Sequence, residues 1–356
     1  MANKERLPFG IRGLADRIEE MGMKFGLWFE PEMVNKDSDL YRAHPDWILQ
    51  TPKRNSCSGR NQYVLDFSRK EVVNCIYDMM YRILSEAKIS YIKWDMNRSI
   101  TECYSPALPA DRQGEVFHRY ILGVYDLYER LNTAFPQILF ESCASGGGRF
   151  DPGILYYAPQ GWTSDDTDAA ERVKIQYGTS MCYPVSSMGS HVSAVPNHQL
   201  NRSTPLHTRA NVAYFGTFGY ELDLNKLSDE EIYQVKEQIK FMKKYRELIQ
   251  FGSFYRLKSP FEGNETVWMT VSQDKKRALV FWYRERNLVN ADYTRVRLQG
   301  LDPDLIYKNE YNGIENYGDE LMNLGLLTTD GTAGEPTCED APCTDYESRI
   351  YVLTAR

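Results

Sequence analysis

Tyr91-Ile92-Lys93-Trp94-Asp95-Met96-Asn97-Arg98 is the stretch on which the fold of this chain turns. A short apolar run, Ile89 to Ile92, passes into four polar residues that strand packing alone does not call for. Strand alternation puts Lys93, Asp95 and Asn97 on one face and Trp94 and Met96 on the other. A lysine, a carboxylate and an amide then converge. An ammonium beside a carboxylate favours the ionised form, which suits a nucleophile or a base, so Asp95 is the first catalytic candidate. The plainer reading is a strand-end salt bridge that satisfies two half-buried charges.

Upstream, Met23 to Phe29 reads as a strand running into Glu30-Pro31-Glu32, preceded by an amphipathic helix from Gly10 to Met21. Tyr63 to Phe67 is a short apolar run, and Ser68 is placed to cap a helix from Lys70 to Glu86. Asp111 to Asn132 has helical apolar spacing and feeds a strand from Gln137 to Phe140. Gly161 to Ser164 reads as a strand ending in Asp165-Asp166-Thr167-Asp168. Beyond it the spacing predicts a helix over Glu171 to Met181, a strand over Cys182 to Val185 and a polar loop over Ser187 to His198. A helix over Pro205 to Phe215 and a strand over Gly219 to Leu224 follow. Ser228-Asp-Glu-Glu231 has the capping-box spacing and should start a helix reaching about Gln250.

Alternating strands and helices predict a parallel α/β protein, and polar residues at strand carboxyl ends are the mark of a (β/α)8 barrel. Six strands can be counted. The expected fold class is therefore α/β: a (β/α)8 TIM-type barrel over residues 1–251, incomplete by its first two strands. From Gly252 the pattern changes to short strands, among them Val267 to Val271, Ala278 to Trp282, Arg295 to Arg297 and Arg349 to Leu353. They predict a small antiparallel β-sandwich domain over residues 252–356.

Composition narrows the partners. The chain of 356 residues is 42% hydrophobic and 26% charged, enough for a sizeable core. A net charge of −7 with scattered Lys and Arg argues against nucleic acid as a partner. The aromatic content of 13% fits sugar-stacking clefts as well as ordinary cores. The first residues are charged, with no apolar leader, and no apolar run is long enough to span a bilayer, so a cytoplasmic protein without membrane attachment is expected if Met1 is the true start. Seven scattered cysteines make a poor disulfide framework, and the closest pair, Cys338 and Cys343, reads as free thiols.

Asp95 and Asp165-Asp166 sit at the ends of different strands. Glycoside hydrolysis needs such a pair, one carboxylate to attack the anomeric carbon and one carboxylic acid to protonate the leaving oxygen; in retaining enzymes they stand ~5–5.5 Å apart. Neighbouring like charges would keep a proton on one of Asp165 and Asp166. For Asp166 and Asp168 a helix N-cap cluster is the stronger reading.

Four ordered motifs carry a resemblance. Gly-Leu-Trp-Phe-Glu-Pro-Glu-Met (26–33), Lys-Trp-Asp-Met-Asn-Arg (93–98), Glu-Ser-Cys with a glycine run and Arg-Phe-Asp (141–151), and Trp-Thr-Ser-Asp-Asp-Thr-Asp (162–168) resemble the α-galactosidases of glycoside hydrolase family 36. The resemblance implies retaining hydrolysis of terminal α-linked galactose from oligosaccharides such as melibiose and raffinose, with Asp95 as nucleophile and Asp165 as acid/base. It implies substrate binding by Trp28, Arg60, Lys93, Asn97, Cys143 and Gly146, with Lys93 also holding Asp95 ionised. It implies no metal and no cofactor. Transfer of galactose to a second sugar would use the same aspartates.

The family's first two barrel strands, one of which brings an Asp-Asp-Gly-Trp segment, have no counterpart in this sequence. An upstream segment, a homo-oligomer or another partner chain would then have to cover the open barrel edges, and a non-catalytic subunit is the alternative reading from a different class.

Overall fold

The structure, a computed structural model, describes residues 3–289, 293–328 and 345–356, so Cys338 and Cys343 lie outside the described residues. Two compact units divide at Asp165/Asp166.

In the first unit, helix α1 (Gly10–Glu20) leads to strand β1 (Phe25–Phe29), then to a short ribbon of β2 (Met33–Asn35) and, beyond helix α2 (Asp39–Ala43), β3 (Gln62–Val64). Helix α3 (Lys70–Glu86), strand β4 (Ile89–Trp94), helix α4 (Val116–Ala134), strand β5 (Leu139–Ser142), helix α5 (Pro152–Tyr157) and strand β6 (Gln160–Trp162) follow. Strands β1, β4, β5 and β6 are parallel neighbours in that order. The register sets Trp28 beside Lys93, Lys93 beside Glu141, and Glu141 beside Gln160. Side chains opposite one another in register share a face, so one face collects these polar groups.

The other face is apolar. Helix α3 turns Val72, Val73, Ile76, Met80 and Leu84 inward and α4 turns Val116, Tyr120, Val124, Leu127 and Leu131, the i, i+3/i+4 stripe of a core-facing helix. Ile92, Trp94 and Phe140 are buried in the same core, and Trp94 stacks on Tyr128 with ring centroids 3.9 Å apart. The expected alternation of Lys93 and Trp94 is thus realised. Ser68 does not cap α3: its hydroxyl donates to Asp66 at 2.5 Å, and Arg69 stands at the cap position. The helix begins one residue too late for Ser68 to reach the N2 or N3 amide as an N-cap.

In the second unit, helix α6 (Ala169–Thr179), strand β7 (Met188–Ser193), helix α7 (Leu206–Ala213), strand β8 (Thr217–Glu221) and helix α8 (Asp229–Phe251) continue the alternation, with β7 and β8 parallel. The capping box on α8 is present in both directions: Ser228 accepts from the Glu231 N–H at 3.2 Å and Glu231 accepts from the Ser228 N–H at 2.9 Å. The strand expected over Cys182 to Val185 is absent. The strand lies instead at β7, where a polar loop was expected. Met188-Gly-Ser-His-Val-Ser193 lacks an apolar period because it buries polar side chains, Ser190 among them, whose hydroxyl donates to Gln176 at 2.8 Å.

Strand β9 (Ser253–Lys258) opens an antiparallel region with β10 (Glu265–Val271), β11 (Arg277–Arg284), β12 (Arg295–Val296), β13 (Ile306–Asn309), β14 (Glu315–Tyr317), helix α9 (Gly318–Asn323), β15 (Leu326–Leu327) and β16 (Glu347–Ala355). The main sheet runs β14-β13-β16-β11-β10-β9, with β12 and β15 as a separate ribbon. One face packs Trp268 and Phe281 against Phe215 of the preceding segment, and the other buries Val267, Met269, Val280, Trp282 and Tyr351. The fold class is a partial parallel barrel of six strands with intervening helices, followed by an antiparallel β-domain. No helix among the described residues is long and apolar enough to cross a membrane.

Candidate active site

Every candidate site residue falls in the first unit, at or beyond the carboxyl ends of its parallel strands. Asp95 follows β4 and is 6% exposed. Its Oδ2 accepts from the Trp28 indole N–H at 3.1 Å and from the Asn97 amide at 2.7 Å. Its Oδ1 accepts from the Met96 N–H at 2.7 Å, with the Ser145 N–H at 3.4 Å. Burial alone would raise the pKa of this carboxyl. The Cys143 thiol, Asn97, Trp28 and the Met96 amide, all donating to it, outweigh burial and hold it below the ordinary carboxylate value. The largest influences that favour its ionised form are hydrogen bonds from neutral donors.

Lys93, expected in that role, has Glu141 as an ion-pair partner at 3.3 Å, and its ammonium lies 4.5 Å from the centroid of the Trp162 ring. The Trp162 indole in turn donates to Asp165 Oδ1 at 3.1 Å. Asp165 is exposed at the end of β6. Asp168 caps α6, accepting from the N–H groups of Ala170 and Glu171, as anticipated, and Asp166 accepts from the Asp168 N–H at 3.0 Å.

The loop between β5 and α5 joins the two aspartates. Cys143 and Ser145 face Asp95, while the next residue, Gly146, lies against the backbone of Ser164 and Asp165. Gly147 lies closer still to Thr163, whose carbonyl oxygen would stand 2.4 Å from an added Cβ. The glycine run thus lets two strand-end loops touch. Burial, the adjacent Asp95 charge and the hydrogen bond to it push the Cys143 thiol up to about 12, so it remains a protonated donor.

Trp28 is 53% exposed while its N–H is engaged, leaving the ring face open at the strand end. Arg60 occupies the tip of a two-residue turn with Asn61, both at positive φ (51° and 62°), closed by hydrogen bonds between Gly59 and Gln62 in both directions. Among the described residues no hydrogen bond or ion pair joins the Arg60 side chain to the Asp95 cluster. Arg98 ties this hairpin to the end of β4, donating to the carbonyls of Cys57 at 2.7 Å and Gln62 at 2.8 Å.

Sequence reasoning assigned no role to three carboxylates, the half-buried Glu30 and the buried Glu32 and Glu141. Glu30 accepts from the Asn97 amide at 2.8 Å and from Gln62 at 2.8 Å, so it orients the amide that donates to Asp95. Glu32 is fully buried beneath Trp94 and receives the indole N–H at 2.7 Å, the Tyr120 hydroxyl at 2.5 Å and both terminal nitrogens of Arg149 at 2.8 Å. Arg149 anchors the far end of the glycine loop. Glu141 is the third, and setting strand ends in register would have revealed its charge opposite Lys93.

Parallel strands that carry an ionised aspartate among converging donors, with one glycine loop in contact both with it and with the backbone of a second strand-end aspartate, define a (β/α)-barrel protein with an acidic strand-end site. The chain belongs to the melibiase family: residues 1–252 match the Melibiase model, and residues 265–353 match the glycosyl hydrolase family 36 C-terminal domain. It is 54% identical over 326 residues to alpha-galactosidase AgaA of Geobacillus stearothermophilus, covering 92% of this chain and 45% of that one. It is 49% identical over 350 residues to alpha-galactosidase 1 of Pediococcus pentosaceus, covering 98% and 46%. The crystal structure of the Geobacillus enzyme superposes with a TM-score of 0.95 at 50% identity, over 100% of this chain and 48% of that chain. Variants of that enzyme have been crystallised with raffinose and with stachyose. The chain spans about half the length of the relatives it matches.

Proposed function

We propose that this chain carries the catalytic pair of a retaining α-galactosidase that releases terminal α-linked galactose from oligosaccharides of the melibiose and raffinose type. The observation that carries this is the Asp95 carboxylate, buried and kept ionised by donors from Trp28, Asn97, Met96 and Cys143, beside a loop that also seats Asp165. In the Geobacillus complexes with stachyose and raffinose an aspartate has been replaced in each, and the two replaced aspartates are separated by the same number of positions as Asp95 and Asp165.

In this reading Asp95 attacks the anomeric carbon, forming a galactosyl-aspartate bond as the glycosidic bond breaks, and Asp165 gives its proton to the departing oxygen. Asp165 then takes a proton from water, whose oxygen displaces Asp95 and restores the starting configuration. Lys93 and Asn97 bind galactose hydroxyls at the inner end, Trp28 and Arg60 border the pocket mouth, and Cys143 and Gly146 line the glycine loop. Residues 1–251 form the catalytic part and residues 252–356 a separate β-domain.

The test is release of p-nitrophenol from p-nitrophenyl α-galactoside by the purified chain. Asp95→Ala should abolish turnover. Asp165→Ala should remain slow on poor leaving groups and be accelerated by azide, giving galactosyl azide of retained configuration. A folded chain without turnover, or azide products of inverted configuration from Asp165→Ala, would overturn the proposal.

A further inference from the structure

Glu141 is an ionisable residue that the mechanism does not use, yet it is only 2% exposed. The Tyr91 hydroxyl and the Gln160 amide, the latter at 3.2 Å, both donate to its Oε2. A glutamine at this position would accept the same two hydrogen bonds without the several kcal/mol that burying a carboxylate costs. What a carboxylate adds is a charge, and the cation facing it is Lys93 at 3.3 Å from Oε1. Lys93 is 22% exposed at its side chain, lies over the Trp162 face, and its charge is felt at the Cys143 thiol. The titratable groups on the neighbouring strands and just beyond their ends include Tyr91 and Asp95 on and after β4, Glu141 and Cys143 on and after β5, and Asp165 after β6.

We propose that Glu141 is a positioning residue: its buried carboxylate, braced by Tyr91 and Gln160, aims the Lys93 ammonium across the Trp162 ring toward the hydroxyls of a sugar bound at Asp95. The sugar end of this proposal rests on the galactosidase reading; the Lys93 end does not. Lysine geometry is selected by the counter-charge, since an ammonium is a point charge on a flexible stem that reaches several places unless something holds it.

The experiment labels the intact chain with trace acetic anhydride at fixed pH and quantifies Lys93 by mass spectrometry, using the exposed Lys24 as internal reference. In the unaltered chain Lys93 should label at least about tenfold more slowly than Lys24, as one charge-assisted contact implies. Glu141→Gln, whose amide oxygen can accept both hydrogen bonds while an uncharged NH2 replaces the carboxylate oxygen facing Lys93, should bring Lys93 close to the reference rate, and Glu141→Asp should restore much of the protection. With p-nitrophenyl α-galactoside, Glu141→Gln should raise KM about tenfold while leaving kcat within about threefold. Equal labelling of Lys93 and Lys24 in the unaltered chain overturns the proposal even if no variant folds. A folded Glu141→Gln chain with Lys93 still protected and KM unchanged overturns it too. Protection that Glu141→Gln removes, in a chain with no turnover, supports the positioning role and counts against the hydrolase reading alone.

Discussion

A Cβ placed on Gly146 would stand 2.8 Å from the backbone nitrogen of Asp165, and Gly146 itself has a φ of +83°. Both facts demand glycine, one for space and one for backbone conformation. Gly146→Ala should therefore displace the Asp165 loop, costing about 1–3 kcal/mol of stability from overpacking and strain, with a larger loss in kcat/KM than in folding. Urea melts and galactoside kinetics on the same preparation check this, and unchanged kinetics would dissociate the loop contact from the chemistry.

The Glu32 and Arg149 pair gives a stability prediction. Glu32 is fully buried, so Arg149→Met should strand its carboxylate and destabilise the first unit by about 3–5 kcal/mol. The double variant Glu32→Gln with Arg149→Met should recover much of that loss, because neither residue then leaves a charge behind. Urea denaturation of the single and double variants measures the difference.

The Asp95 environment sets a pH dependence. Its folded pKa lies below the ordinary 3.8, so the donors' contribution to stability is fully present above the unfolded value and fades as pH falls through the folded one. Trp28→Phe removes one donor and should raise the Asp95 pKa. The acid limb of the kcat/KM profile should move to higher pH, with about tenfold lower activity at neutral pH. An acid limb that does not move would mean that another group controls it.

Thiol labelling offers a check independent of activity. Cys143 is buried with its pKa pushed up to about 12, whereas Cys57, Cys103 and Cys182 are exposed. Iodoacetamide at mildly alkaline pH should modify Cys57, Cys103 and Cys182 before Cys143 and leave Cys143 intact until the chain unfolds, because the thiolate is the reactive form. Peptide mapping across a urea series reads this order.

The capping box on α8 is a local device open to a simple test. Ser228→Ala removes the acceptor for the Glu231 N–H and should cost about 1 kcal/mol, read as a lower urea midpoint with an unchanged slope.

Much of this was legible in the sequence because it depends on near neighbours. The Lys93/Trp94/Asp95 alternation, the helices α3, α4 and α8, the Ser228 cap and the Asp168 cap follow from periods of two or 3.6 residues and from side chains that reach their own backbone. Strand β7 was hidden because it buries polar residues, among them Ser190, whose hydroxyl finds its partner on α6, so it shows no apolar alternation. The partners of Lys93, Glu32 and Gly146 depend on strand register and on how closely two loops can approach, distances set by the packed sheet and invisible to spacing. Side-chain type and alternation are local properties, so the sequence alone placed Lys93, Asp95 and Asp165 at or just beyond strand ends. Only the tertiary structure decided that neutral donors hold the Asp95 charge, that Glu141 faces Lys93, and that glycine brings Asp165 to the same loop, because burial and cross-strand contacts exist only once the chain is folded.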